Sequence, residues 1–128
     1  MISEITAGVE VIVQTSYQES HSDPESLEFV FAYTIHIQNH NRHTVQLLRR
    51  RWEIVNALGE LRVVEGDGVV GRQPILYCGD IHEYVSGCHL ITPQGRMRGK
   101  FYFVNKENGL QFEVNIPEFR MEAPFTLN

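Results

Sequence analysis

Four groups of residues in this chain have types and spacings that could do chemistry. Gly66-Asp67-Gly68-Val69-Val70-Gly71 fits G-x-G-x-x-G. In that fingerprint a strand enters a glycine turn and a helix leaves it, aiming backbone N–H groups and a helix dipole at a pyrophosphate. A strand is present in residues 61–65, but Pro74 and Gly79 leave no room for the helix and no βαβ pattern follows. A Rossmann site is therefore not expected. Two readings stay open. The loop could hold an anion on its own amides, with Arg72 as the charge and Asp67 opposing it, or it could be a structural glycine loop crossing the end of a sandwich. The second group, Arg49-Arg50-Arg51, lies on a strand, where alternation sends Arg49 and Arg51 to one face and Arg50, beside Trp52, to the other. Such a run suits an anion or acidic-partner patch, or a charged solvent face that discourages edge pairing.

The third and fourth groups are weaker. His36, His40 and His43 lie near a hairpin loop expected at residues 39–44, yet neither H-x-E-x-H spacing nor a cysteine pair completes a zinc set. Cys78 and Cys88 form no C-x-x-C, and Cys88 next to His89 is poor geometry for a nucleophile and base, because neighbours on a strand point to opposite faces. No G-x-S-x-G, Walker or H-E-x-x-H motif occurs. Nothing nominates an enzyme, a metal site or a cofactor.

Positioning these residues falls to strands. In residues 28–38 the odd positions Phe29, Phe31, Tyr33, Ile35 and Ile37 alternate with smaller or more polar residues. That is period 2, a strand with one buried face. Val9, Val11 and Val13 mark a second strand and residues 45–55 a third, followed by 61–65, 81–86, 97–105 and 110–116. Asn56-Ala57-Leu58-Gly59 and Lys106-Glu107-Asn108-Gly109 supply turns. About seven or more antiparallel strands without a stretch of period 3.6 predict an all-β sandwich. Residues 66–79 and the tail after Pro117 are expected outside the strands, the tail packing through Phe119, Met121 and Phe125.

Length and composition agree. The chain of 128 residues is one domain's worth, 42% hydrophobic and 21% charged, an ordinary globular balance. No apolar run approaches the roughly 20 residues of a membrane span, and Met1-Ile2-Ser3-Glu4 opens no secretory signal. A soluble cytoplasmic domain is expected. The net charge of −5 argues against broad nucleic-acid binding, although nine of the eleven bases are arginine, so a local anion site is allowed.

One family carries these residues in this order. Glu65-Gly66-Asp67-Gly68-Val69-Val70-Gly71-Arg72-Gln73-Pro74 resembles the E-G-x-G-V-V-G-x-Q-P block of the ApaG family. Tyr33-Thr34, Ile35, Ile37 and Asn39 resemble its second strand, and Val45-Gln46-Leu47-Leu48, Arg51-Trp52 and Ile54 its V-Q-L-L-x-R-x-W-x-I block. Tyr84, Ser86-Gly87, Thr92-Pro93, Gly95, Met97, Gly99, Asn108-Gly109 and Ile116-Pro117 match its later blocks, while Val85 stands where the family often has Thr. The resemblance covers nearly the whole chain, read as a single ApaG domain. It implies an immunoglobulin-like or fibronectin type III-like sandwich, and an association with cobalt resistance and magnesium efflux. It implies no established chemical activity.

The expectation is a non-enzymatic module without cofactor, binding a protein partner through a loop-end surface built from Gly66, Gly68, Gly71, Arg72, Gln73 and Arg51. The alternative is a phosphate, pyrophosphate or nucleotide ligand held by the same glycine loop. Oligomeric state is left open.

Overall fold

The computed structural model describes residues 1–126. Nine strands follow in chain order: β1 (Ile2–Thr6), β2 (Val9–Tyr17), β3 (Phe29–Asn39), β4 (Val45–Asn56), β5 (Leu61–Asp67), β6 (Ile75–Leu76), β7 (Ile81–Leu90), β8 (Gln94–Asn105) and β9 (Gln111–Glu122). Helical structure among the described residues is confined to three single turns of 3-10 type. One sheet has the order β1-β2-β3-β7 and the other β5-β4-β8-β9, with β6 also on β4; all pairings are antiparallel. The expected all-β sandwich is the fold.

The odd residues of β3 are buried without exception from Phe29 to Asn39, and Val9, Val11 and Val13 of β2 join them. Facing them from the second sheet are Trp52, Ile54, Met97, Phe101, Phe103, Val114 and Phe119. Trp52 sits at the centre, edge-on to Tyr33 at 5.4 Å between ring centroids and to Phe119 at 6.0 Å. Offset and edge-to-face rings of this kind add to the area they bury.

Several sequence expectations are corrected. β1 was not foreseen: it pairs with β2 through a turn at Ala7 and Gly8, both at positive φ (50° and 77°). β9 runs past Pro117 to Glu122, so the tail is strand; Phe119 and Met121 are buried as expected, and Phe125, though 53% exposed, packs its ring against Tyr17 and Phe29 at 6.0 and 6.2 Å between centroids. Pro117 is tolerated there because Pro117 and Glu118 together oppose only Arg98, a bulge in which the missing N–H breaks no ladder bond. Residues 40–44 are not a hairpin, since they carry the chain from β3 in one sheet to β4 in the other. Finally, residues 66–79 are not all loop. β5 extends to Asp67, and β6 resumes on the same edge of β4 after an excursion of residues 68–74.

One long side of the sandwich is closed, with the Asn115 N–H of β9 donating to Thr6 Oγ1 of β1 at 3.2 Å. On the other side the free edges of β5 and β7 border an open cleft.

Candidate functional site

A bulge decides which arginine enters the molecule. Between Leu47 and Arg49 the register of β4 against β8 shifts by one residue, so Leu48 has no opposite number. Val45 and Leu47 face the core before the bulge, and Arg50, Trp52 and Ile54 share the inner face after it. Arg51 is turned outward, where its guanidinium meets Glu53 at 2.8 Å and Glu65 at 3.0 Å. Glu53 also receives Arg98 at 2.7 Å, and Arg51 and Arg98 together hold its carboxyl below the usual range. Arg49, also outward, lies over the Tyr102 ring at 5.3 Å.

The glycine loop wraps this bulge. The Leu48 carbonyl accepts from the Gly68 N–H at 2.8 Å and from Gln73 Nε2 at 3.0 Å. The Gln73 carbonyl accepts from Gln46 Nε2 at 3.1 Å, and the Pro74 carbonyl from the Leu47 N–H at 3.1 Å. Val69 and Arg72 exchange both backbone hydrogen bonds (2.8 and 3.0 Å), closing a two-residue turn with Val70 at φ 47° and Gly71 at φ 74°. Positive φ at both positions is the pattern of a type I′ turn, and a β-branched residue rarely adopts it. The amides of Gly68, Val69 and Arg72 are thus already donated within the protein.

What the loop does hold is Arg50. Its Nη1 donates to the carbonyls of Asp67 and Gly68, both at 3.0 Å. Its guanidinium lies against Gly66, where a Cβ would come within 2.8–3.0 Å of Nη1, Nη2 and Cζ. Gly68 is required more strictly, since φ is +60° and a Cβ would collide with the Arg72 carbonyl oxygen.

Past Arg50 opens a cavity of about 380 Å³ between β5 and β7, lined by Tyr33, Arg50, Trp52, Arg62, Ser86 and Cys88 among others, with no Asp or Glu. Arg62 Nη2 crosses it to the His89 carbonyl at 3.2 Å, linking the two edges at one end. Burial raises the Tyr33 hydroxyl pKa, with Ser86 and Arg50 opposing. The Tyr84 hydroxyl is buried, responds to the charges of Tyr33 and Arg50, and has no hydrogen-bond partner among the described residues. Burial likewise pushes the Cys88 thiol up, the reverse of an activated nucleophile. At the loop end, burial and then the Arg72 charge lower the His82 pKa. A larger groove of about 670 Å³ beside β1, β2 and β9 contains charges of both signs, Glu118 and Arg120.

Gly66, Gly68, Gly71 and Gln73 therefore come together as one clasp, with Arg72 at its turn; Arg51 is on the opposite face. Arg50, Arg62, Tyr33 and Ser86 were missed as site residues. Their signal was in the alternation: Tyr84, Ser86 and Cys88 share one face of β7, and Arg62, Val64 and Gly66 one face of β5. The histidines stay apart. His40 meets Glu10 at 2.8 Å and His36 meets Glu83 at 3.6 Å, and among the described residues no three His, Cys, Asp or Glu gather.

Such a molecule belongs to the small two-sheet β-sandwiches that present a glycine-rich clasp and an arginine on an open edge. The chain is a member of the ApaG family: residues 19–105 match the family model described as "ApaG domain". Protein ApaG of Brucella abortus is 44% identical over 124 residues, 97% of this chain and 95% of that protein. Protein ApaG of Proteus mirabilis is 45% identical over 120 residues, 94% and 95% of the two chains. The crystal structure of a Bordetella pertussis protein described as ApaA superposes with a TM-score of 0.88 at 43% identity, covering 91% of this chain and 94% of that one.

Proposed function

We propose that the chain is a non-enzymatic, cytoplasmic binding module that pairs an extended, acidic segment of a protein partner along the free edge of β5. One observation carries this reading. The edge of β5 away from β4 is unpaired, and Leu61, Val63 and Val64 on it are exposed. An open edge of this kind is a template for another strand. Charge supports the sign of the partner: Arg50 and Arg62 line the cleft beside this edge, and among the described residues neither is in an ion pair. The non-enzymatic part is supported by the buried, high-pKa Cys88 and by the segregation of the histidines onto separate carboxylates. A role in cobalt resistance or magnesium efflux would run through the partner engaged.

The test is amide-shift mapping of ¹⁵N-labelled protein titrated with an extended acidic peptide rich in β-branched residues. Saturable shifts along residues 61–67, lost in Val63→Lys, are expected, because an edge lysine blocks strand pairing. Shifts elsewhere that survive Val63→Lys would overturn the reading.

A further inference from the structure

We infer that a cavity at the end of β2 and β9 takes an arginine or lysine side chain from a basic segment of a partner protein. The inference goes beyond edge pairing. It uses β2, the connection from β2 to β3 and the segment after β9, and no residue of β5.

The cavity, of about 330 Å³, is lined by Tyr17, Glu19, Pro24, Pro124 and Phe125, all aromatic or proline except the one acid. The Tyr17 and Phe125 rings meet at 82° with 6.0 Å between centroids, two walls at nearly a right angle. Each ring is braced by a core residue, Tyr17 by Phe31 at 5.3 Å and Phe125 by Phe29 at 6.2 Å. Phe125 nevertheless keeps half of its surface in water. Aromatic faces attract a cation, and a carboxylate beside them adds a charge-assisted hydrogen bond. Glu19 stands in that place and is in no ion pair among the described residues.

The charge flanking the cavity has one sign. The connection that supplies Glu19 and Pro24 also carries Asp23, Glu25 and Glu28, and Glu122 ends β9 shortly before Pro124. Among the described residues none of these acids is in an ion pair, whereas Glu53, Glu65, Glu113 and Glu118 on the second sheet each meet an Arg or Lys. No Lys or Arg occurs before Arg42 or after Arg120. His21, on the same connection, lies 3.2 Å from Ser20 Oγ. An apolar cavity flanked by unmatched acids suits a side chain with an apolar stem and a positive head. An acidic segment would be repelled here, and an uncharged one would leave Glu19 unused.

Amide-shift mapping of ¹⁵N-labelled protein tests this with two capped peptides, Gly-Pro-Arg-Pro-Gly and the same sequence with glutamine for arginine; the prolines keep both extended. Saturable shifts at Tyr17, Glu19 and Phe125 are expected with the arginine peptide, and none with the glutamine peptide. Glu19 is exposed, so Glu19→Gln keeps the fold, and it should weaken binding about tenfold, as expected for a lost hydrogen bond between charged groups. Phe125→Leu keeps an apolar side chain without the ring and should weaken it about threefold. Equal binding of the glutamine peptide, no saturable shifts with either, or affinity unchanged by both substitutions overturns the proposal. Binding of N-acetylarginine amide as tightly as the arginine peptide overturns the assignment to a protein segment in favour of a small cationic ligand. Both substitutions lie away from β5, so the result is read independently of the Val63→Lys experiment.

Discussion

The three glycines of the loop motif should differ in what they cost to replace, because three different physical constraints act on them. At Gly68 a methyl group meets both obstacles. The residue has φ +60°, and its Cβ would strike the Arg72 carbonyl oxygen. Left-handed backbone costs a non-glycine residue about 1–2 kcal/mol. Moving Arg72 out of the way breaks the paired bonds between Val69 and Arg72, worth about 1 kcal/mol each. Gly68→Ala should therefore destabilise by about 3–4 kcal/mol. At Gly71 the space is open and only φ +74° opposes the substitution, so about 1 kcal/mol is expected. At Gly66 φ is ordinary, and the obstacle is the far end of the Arg50 side chain. An added Cβ relieves the weakness of a strand glycine and offsets most of what the displaced guanidinium loses, so stability should change by less than about 1 kcal/mol. Urea unfolding measures all three. With a slope near 2 kcal/mol/M, Gly68→Ala should lower the midpoint by roughly 1.5–2 M and the others by about 0.5 M or less. Equal costs at the three positions, or a greater cost at Gly66 than at Gly68, would refute the view of the loop as a clasp around the bulge.

Asn39 is fully buried and gives both amide hydrogens to carbonyls, His43 at 3.0 Å and Leu76 at 3.0 Å, while accepting from the Asn41 N–H. Asn39→Ala strands these groups and should cost about 3 kcal/mol, or roughly 10 °C in Tm by calorimetry. His82 has a folded pKa below its unfolded value, first through burial and then through Arg72. The unfolded chain then binds the extra proton, so this contribution to stability is intact above the unfolded pKa near 6.5 and falls as pH drops below it. His82→Gln should flatten that part of the pH–stability profile. Tyr33 and Tyr84 carry raised pKa values, so above pH of about 10 the unfolded state loses protons that the folded state keeps. Stability should fall there, less steeply in Tyr84→Phe.

Much of the sandwich was legible because alternation is a direct imprint of burial. Phe29 to Ile37 alternates with a half-polar face, and β3, central in its sheet, buries those residues. What the pattern could not carry was any change of phase. Leu48 interrupts β4, and Pro117 with Glu118 interrupts β9; in each case one extra residue swaps the faces with no marker in composition. β1 was invisible for another reason. Its residues are exposed or half-buried, so no periodic core face marks it, and its turn places Ala7, a residue without turn preference, at positive φ. At the site, the sequence put Arg50 beside Trp52 correctly but gave no sign that this face is the inner one. The meeting of β5 with β7 joins edges of different sheets, a long-range geometry that local spacing does not encode.

The run of three arginines shows how one strand separates two uses of the same charge. On the outer face Arg51 belongs to a chain of ion pairs through Glu53 to Arg98 and from there to Glu118, all on exposed or half-exposed side chains. Such pairs contribute little to stability and weaken further with salt. Their effect is to cancel the field of the outward arginines. The bulge at Leu48 removes Arg50 from that company, and the clasp then binds it through neutral carbonyls that leave its charge standing. A net charge of −5 thus says little about the local potential in the cleft, where the charged lining residues are arginines and no acid takes part. Deleting the bulge residue Leu48 would leave the pairs on either side of it in place, Leu47 opposite Phe103 and Arg49 opposite Tyr102, with Arg50 still inward. It would withdraw the carbonyl that Gly68 and Gln73 grip, so the glycine motif and the bulge function as one device.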